Sequence, residues 1–200
     1  MARDTRARML ETTARLLQYR GYHGTALSEI LEESGAPRGS LYFHFPGGKD
    51  QLVIEATRAA VAEGTRQLRE TLANAKSPER GVRAFLEAIA RILRESDYTY
   101  GCPVAPVILD ATGGLPELAE ICRRAFEEWI GLLQGSFVEA GIPRRRALAL
   151  ALLVESSLEG LLLIGRAYRD AAPVMTVAAE LETVVKAALP RRSAPTSRAS

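Results

Sequence analysis

Cysteine is nearly absent from this 200-residue chain. Cys102 and Cys122 are too few for a disulfide scaffold, and without an export signal both are expected to be thiols in a reducing, cytoplasmic compartment. The opening residues, MARDTRARMLETTARLL, have no unbroken apolar core and no small-residue cleavage site, so they do not read as a secretory signal. Charge of one sign is also in short supply. A net charge of +2 does not by itself announce a nucleic-acid partner, so any such evidence must be local. The run most suggestive of a membrane span, Ala147 to Gly165, carries Glu155 and Glu159 at its middle. Each would cost roughly 2–3 kcal/mol at a bilayer centre, and a membrane association is not expected. Catalytic sets are missing too: there is no Ser/His/Asp arrangement, no metal cluster and no phosphate loop, Gly47-Gly48 being too short for one. Enzyme activity, a cofactor and a metal are therefore not expected.

What is present is helical periodicity. The composition, 47% hydrophobic and 25% charged, supplies enough apolar material for a real core. Met9, Leu10, Thr13, Leu16 and Leu17 make one stripe, ended by Gly21, and Leu27, Ile30 and Leu31 make a second, ended by Gly35. Longer stripes run from Leu52 to Leu72, from Val82 to Leu93 and from Leu118 to Ser136; Ser77 is a candidate N-cap with Pro78 as first helical residue. Two more helices follow, from about Arg145 to Tyr168 and from Val174 to Ala188 in near-heptad order. The pattern predicts an all-α protein of about nine helices. Residues 1–50 form a first domain, 51–189 a larger helical one, and 190–200 a polar, Pro/Ser-rich tail expected to be disordered.

One stretch departs from this. In GSLYFHF, Tyr42, Phe43 and Phe45 fall within four positions although only 6% of the chain is aromatic, and propensity alone reads a short strand. Its context reads otherwise. Thr25 can cap a helix beginning near Leu27, Gly35 permits a sharp turn, and Pro37 suits the first turn of a short helix from Arg38 to His44. Helix, glycine-containing turn and short helix is the layout of a helix-turn-helix. On that helix Leu41 and Phe45 share an inward face, while Arg38, Ser40, Tyr42 and His44 crowd the outward side and the small Gly39 allows close approach to a duplex. Phe43 can pack or meet a thymine methyl; packing is the favoured expectation.

The ordered set Thr25, Ile30, Gly35, Gly39, Leu41, Tyr42, His44, Phe45 and Lys49 resembles the DNA-binding domain of TetR-family transcriptional regulators. The match covers roughly residues 5 to 58. Ser34, Ala36 and Pro37 depart from the usual Ala, Val and Ser, and one extra residue separates Phe45 from Lys49. The stretch APRGSLYFHFPGGKDQL together with GCPVAPVILD is similar to the LmrA/YxaF-like branch. The resemblance implies that the short helix enters the major groove. Arg38 then suits bidentate contact with guanine, Ser40 a base or phosphate, and Tyr42 and His44 phosphates. Thr25 and Lys49 stand at helix starts, where free N–H groups favour a phosphate. Arg3, Arg6 and Arg8 could form an arm along the backbone, or remain an ordinary solvated run.

The resemblance also implies a homodimer through the last two helices, whose apolar and small residues suit a four-helix interface. Phe85, Ile89, Val107, Phe126, Trp129 and Leu133 could wall a small-molecule pocket with Glu155 or Glu159 as polar anchors; the same stripes suit plain core. A carboxylate at Glu155 would favour a cationic ligand. The favoured function is a regulator, most simply a repressor, released from a near-palindromic double-stranded DNA operator by a small, largely apolar effector. The alternative is a DNA-binding protein whose C-terminal domain recruits a protein partner.

Overall fold

The computed structural model describes residues 2–111 and 114–190, and the expected disordered tail lies almost wholly outside them. Among the described residues there are nine helices and no strand. They are α1 (Ala2–Arg20), α2 (Leu27–Ser34), α3 (Ser40–His44), α4 (Gly48–Asn74), α5 (Pro78–Glu95), α6 (Ala105–Ala111), α7 (Pro116–Glu139), α8 (Arg144–Tyr168) and α9 (Ala172–Ala188). The aromatic stretch is helical, as its context predicts.

Two hydrophobic cores organise these helices. The smaller gathers Met9 and Leu16 of α1, Ile30 and Leu31 of α2, Leu41 of α3, Phe45 just after it, and Leu52 of α4. The larger is built from α4, α5, α7, α8 and α9, with Leu17 of α1 and Val107 of α6 joining it. In α4 the divide falls between adjacent residues: Leu52 belongs to the small core, Val53 and Ala56 to the large one. Because neighbouring helical positions point about 100° apart, one helix can serve two cores without breaking.

Several local expectations are revised. Thr25 does not cap α2: the N-cap is Ala26, without a side-chain hydrogen bond, and the Thr25 hydroxyl donates instead to the Gly21 carbonyl at 2.7 Å. Ser77 does occupy the N-cap of α5, but its hydroxyl donates to the Glu79 carboxylate at 2.5 Å and accepts no capping bond from a backbone N–H. The short helix starts at Ser40 rather than Arg38, because Pro37 opens a turn closed by the Ser40 N–H to Pro37 carbonyl bond at 2.8 Å. Gly35 ends α2 as expected, at φ 62°, and the Ala36 N–H bonds the Leu31 carbonyl in a Schellman-type closure. The extra residue between Phe45 and Lys49 is absorbed by Gly48 at φ 66°, whose N–H donates to the Phe45 carbonyl.

Two polar ties fasten the small core's helices to the larger body. The Arg166 guanidinium of α8 donates to the carbonyls of Gln18 and Tyr19 at the C-terminal end of α1, at 3.2 and 3.4 Å. A cation there also meets the negative end of the helix dipole. Gly101 makes the approach possible, since a Cβ on it would stand 2.9 Å from that guanidinium and 3.0 Å from the Gln18 carbonyl oxygen. The second tie is Asp110 of α6, which accepts the His23 N–H at 2.6 Å in the loop after α1.

Phe45 is fully buried in the small core, with the Arg6 guanidinium 5.1 Å from its ring centroid. Phe45→Ala is expected to cost about 3–5 kcal/mol in urea denaturation. Phe43→Ala, on the exposed side of the same turn, should shift stability by less than about 0.5 kcal/mol.

Candidate nucleic-acid interface and inner cavity

The outward face of α3 follows from its anchoring. Leu41 and Phe45, four apart, are buried against α1 and α2, so the residues between them must point away. Tyr42 is 66% exposed and Phe43 76% exposed, a surface position that its apolar character does not explain. The favoured expectation that Phe43 packs inward is therefore corrected. Its ring meets only its neighbour's edge-on, 4.9 Å from the His44 centroid. Periodicity could have found this, because Phe43 lies two residues from both anchors and so on neither one's face. Arg38 and Gly39 are exposed in the turn before α3, and Ser40 and His44 are half-buried at its two ends. A Cβ on Gly39 would meet nothing within 4 Å, so its surface is open to an approaching body.

Other expected contacts are engaged within the protein. Thr25 is fully buried by the bond just described. Lys49 sits in the first turn of α4, but its ammonium turns inward, donating to the Tyr22 carbonyl at 2.9 Å and lying 4.3 Å from the Tyr22 ring centroid. Burial lowers its pKa, opposed by Asp50 and Asp110. The basic run at the N-terminus belongs to α1 rather than to an extended arm. Arg6 pairs with Glu55, and Arg8 bonds the Ser34 carbonyl and Asp4; the Arg3 side chain lies outside the described residues. Two α1 arginines do a different job: Arg20 pairs with Glu29 and Arg15 with Glu33, offsetting acidic α2 next to the exposed face.

A cavity of about 520 Å³ opens where α1, α4, α5, α7, α8 and the α5–α6 loop meet. Of the residues expected to line a pocket, Phe85, Ile89, Trp129, Glu155 and Glu159 do so. Val107, Phe126 and Leu133 do not. Val107 and Leu133 are filled into the large core, and Phe126 packs edge-on against Trp129 at 5.7 Å. Residues not anticipated from sequence complete the wall: Leu10 and Ala14 of α1, Tyr100 and Cys102 of the loop, Leu158 and Leu162 of α8. Trp129 is held by its indole N–H, which donates to the Thr65 hydroxyl of α4 at 2.8 Å.

Glu155 is the unusual group in this wall. It is 6% exposed and its Oε1 has no hydrogen-bond partner. Burial first, then the neighbouring Glu159, pushes its carboxyl up to about 7. Burial also raises Glu159, partly opposed by its hydrogen bond with the Cys102 thiol. The same burial pushes the Cys102 thiol up, so it is held protonated and is a poor nucleophile. Tyr100 is raised to about 12 for the same reason.

Glu155 has a measurable consequence. The folded protein holds its proton up to about pH 7, whereas the unfolded chain releases it near 4.5. The contribution to stability is thus fullest below pH 4.5 and is lost as pH rises through 7. Across that window unfolding should show a decline on the order of 3 kcal/mol from this site. Glu155→Gln is expected to flatten the decline relative to wild type, read as the difference between two Tm-against-pH curves.

Comparison with known proteins matches this geometry. Residues 9–56 match the model of bacterial regulatory proteins of the tetR family, and residues 78–180 that of the C-terminal domain of LmrA/YxaF-like transcriptional regulators. The HTH-type transcriptional regulator LmrA of Bacillus subtilis is 30% identical over 92% of this chain and 97% of its own length. An HTH-type transcriptional regulator of Mycobacterium tuberculosis is 37% identical over 94% of this chain and 97% of its own. Among solved structures, a TetR transcriptional regulator from Chloroflexus aurantiacus superposes with a TM-score of 0.80 at 26% identity, covering 94% of this chain and 97% of that one. The fold is also shared, at a TM-score of 0.76 and 23% identity over 90% of this chain and 95% of the other, with a cysteine mutant of the regulator CifR solved with 26-bp operator DNA. The chain belongs to the TetR family of DNA-binding transcriptional regulators and carries a C-terminal domain of the LmrA/YxaF-like type.

Proposed function

We propose that this protein is a cytoplasmic, homodimeric repressor that reads a near-palindromic operator through α3 and leaves it when a small molecule enters the inner cavity. The observation that carries the reading is the two-sidedness of α3: Leu41 and Phe45 buried, Tyr42 and Phe43 exposed, with Arg38 exposed in the turn before them. Arg38 takes the base-reading role, its guanidinium matching guanine O6 and N7. Tyr42, Ser40 and His44 suit phosphates, and Gly39 lets the backbone come close. Phe43 joins this set as a contact for a thymine methyl, since solvent exposure of a phenyl ring is best compensated on a partner. Thr25 and Lys49 serve the interface by fixing the loop after α1 and the start of α4, where backbone N–H groups favour a phosphate. Residues 1–50 act as the head and 51–189 as the effector and dimer body.

The dimer is supported by α8. It is long and apolar enough to resemble a membrane span, yet less than half of its most apolar window is covered within one chain. Leu152, Leu153 and Ile164 are exposed, and Leu163 is 69% exposed. A second copy covering that face would relieve a large apolar patch and set two α3 helices about one DNA turn, roughly 34 Å, apart. The cavity favours a small-molecule effector over a protein partner, because its mostly apolar walls enclose a volume of ligand size. Its walls include α1, so an occupant would press directly on a helix that also carries Met9 and Leu16 of the small core. An effector acts only through its preference for one arrangement, here the one with the heads displaced.

Selection on random duplex DNA is expected to enrich a near-palindrome, and absence of one would sink the reading. Arg38→Ala should cost about 1–3 kcal/mol at particular base pairs and relax preference there, whereas Tyr42→Ala should weaken all sequences alike and reduce the salt dependence. Leu152→Glu with Leu163→Glu should yield monomers by sedimentation and abolish tight binding to the paired site.

A further inference from the structure

The walls of the inner cavity are lopsided in charge. One side is apolar and aromatic, formed by Phe85 and Ile89 of α5 and Trp129 of α7. Facing the same space, α8 contributes Glu155 and Glu159; Glu63 of α4 and Glu11 of α1 also line it but are exposed, and the Glu63 carboxylate is paired with Arg66. Among the described residues lining it, the only cation is Arg15 of α1, and its guanidinium pairs with Glu33 of α2 outside the cavity. The loop adds Tyr100 and Cys102, both held neutral by burial, and α5 and α7 add no ionisable lining group.

No hydrogen bond accounts for the burial of the Glu155 Oε1 atom. That burial is a cost the chain would avoid with a leucine of similar volume. Glu159, one helical turn away, spends part of its capacity on the Cys102 thiol. Two neighbouring buried carboxyls repel when both ionise, and a positive charge between them reverses that sign. Aromatic walls suit a cation as well, through the ring quadrupole.

We propose that the effector is a hydrophobic monocation, an aryl-alkyl amine or quaternary ammonium, whose charge is met by Glu155 and Glu159 while its apolar body lies among Phe85, Ile89 and Trp129. This rests on the effector-cavity reading above and specifies the charge of the ligand. Glu155 is the charge-sensing residue: on binding, its carboxylic acid loses a proton to solvent and the carboxylate pairs with the cation. Anionic ligands are repelled by the same wall.

The test uses the full chain and a matched pair of probes: phenylbutyl-trimethylammonium and its uncharged isostere with carbon in place of the quaternary nitrogen. Isothermal titration near pH 6, in phosphate and in Bis-Tris, reads affinity and proton release together. The cation is expected to bind at least about tenfold more tightly than the isostere and to release a proton fraction. Glu155→Gln should lose both the preference and the release while keeping its affinity for the isostere, which also shows that the variant cavity is folded. Glu159→Gln should reduce the preference without abolishing the release. Equal binding of cation and isostere would overturn the charge assignment and leave the cavity as an effector site. Binding of neither would overturn both.

Discussion

Two helices that each belong to two hydrophobic cores hold this protein together. Met9 and Leu16 commit one side of α1 to the small core, while Leu17 faces the large one and Leu10 and Ala14 line the cavity. In α4 the same division falls between Leu52 and Val53. Rigid helices transmit displacement because their interior is close-packed and their backbone hydrogen bonds are intact. The cavity wall and the seat of α3 thus share two helices, α1 and α4. The Arg166 and Asp110 ties fix the far end of α1 and the loop beyond it to the larger body.

The polar chemistry is divided between the two ends in an economical way. Near the exposed face of α3, arginines of α1 pair with α2 carboxylates and offset the charge of an acidic helix. Inside the body the opposite is found: acidic groups are gathered around an apolar space, with Glu155 left unpaired. An unpaired buried carboxyl is tolerated only if neutral or if a partner arrives, and its raised pKa keeps both options open near neutrality.

Much of the fold was legible in the sequence. Stripes at helical spacing located all the longer helices, and Gly35 with its neighbours placed the turn between α2 and α3. The departures are local. Thr25 and Ser77 are residues whose type suits an N-cap, but each hydroxyl donates instead to an acceptor close by in the chain, the Gly21 carbonyl and the Glu79 carboxylate; the Lys49 ammonium bonds the distant Tyr22 carbonyl, a partner that tertiary packing supplies. Phe43 departs in the other direction: its hydrophobicity suggests packing, while its position between two anchors requires exposure. In the cavity, periodicity identified buried faces but not whether a buried face meets another helix or a void. That is why Trp129 lines the space while Phe126 and Leu133, on the same helix, do not.

The order of residues by itself determined the helical architecture, the helix-turn-helix and the family. These depend on short-range spacing: 3.6 residues per turn, a glycine at positive φ, two anchors four apart. Only the tertiary structure decided that α1 walls the cavity, that the Glu155 Oε1 is buried without a partner, and that the Lys49 ammonium turns to the Tyr22 carbonyl. Each of those facts is a relation between segments far apart in the chain. Its energy comes from desolvation and close packing, which no local pattern records.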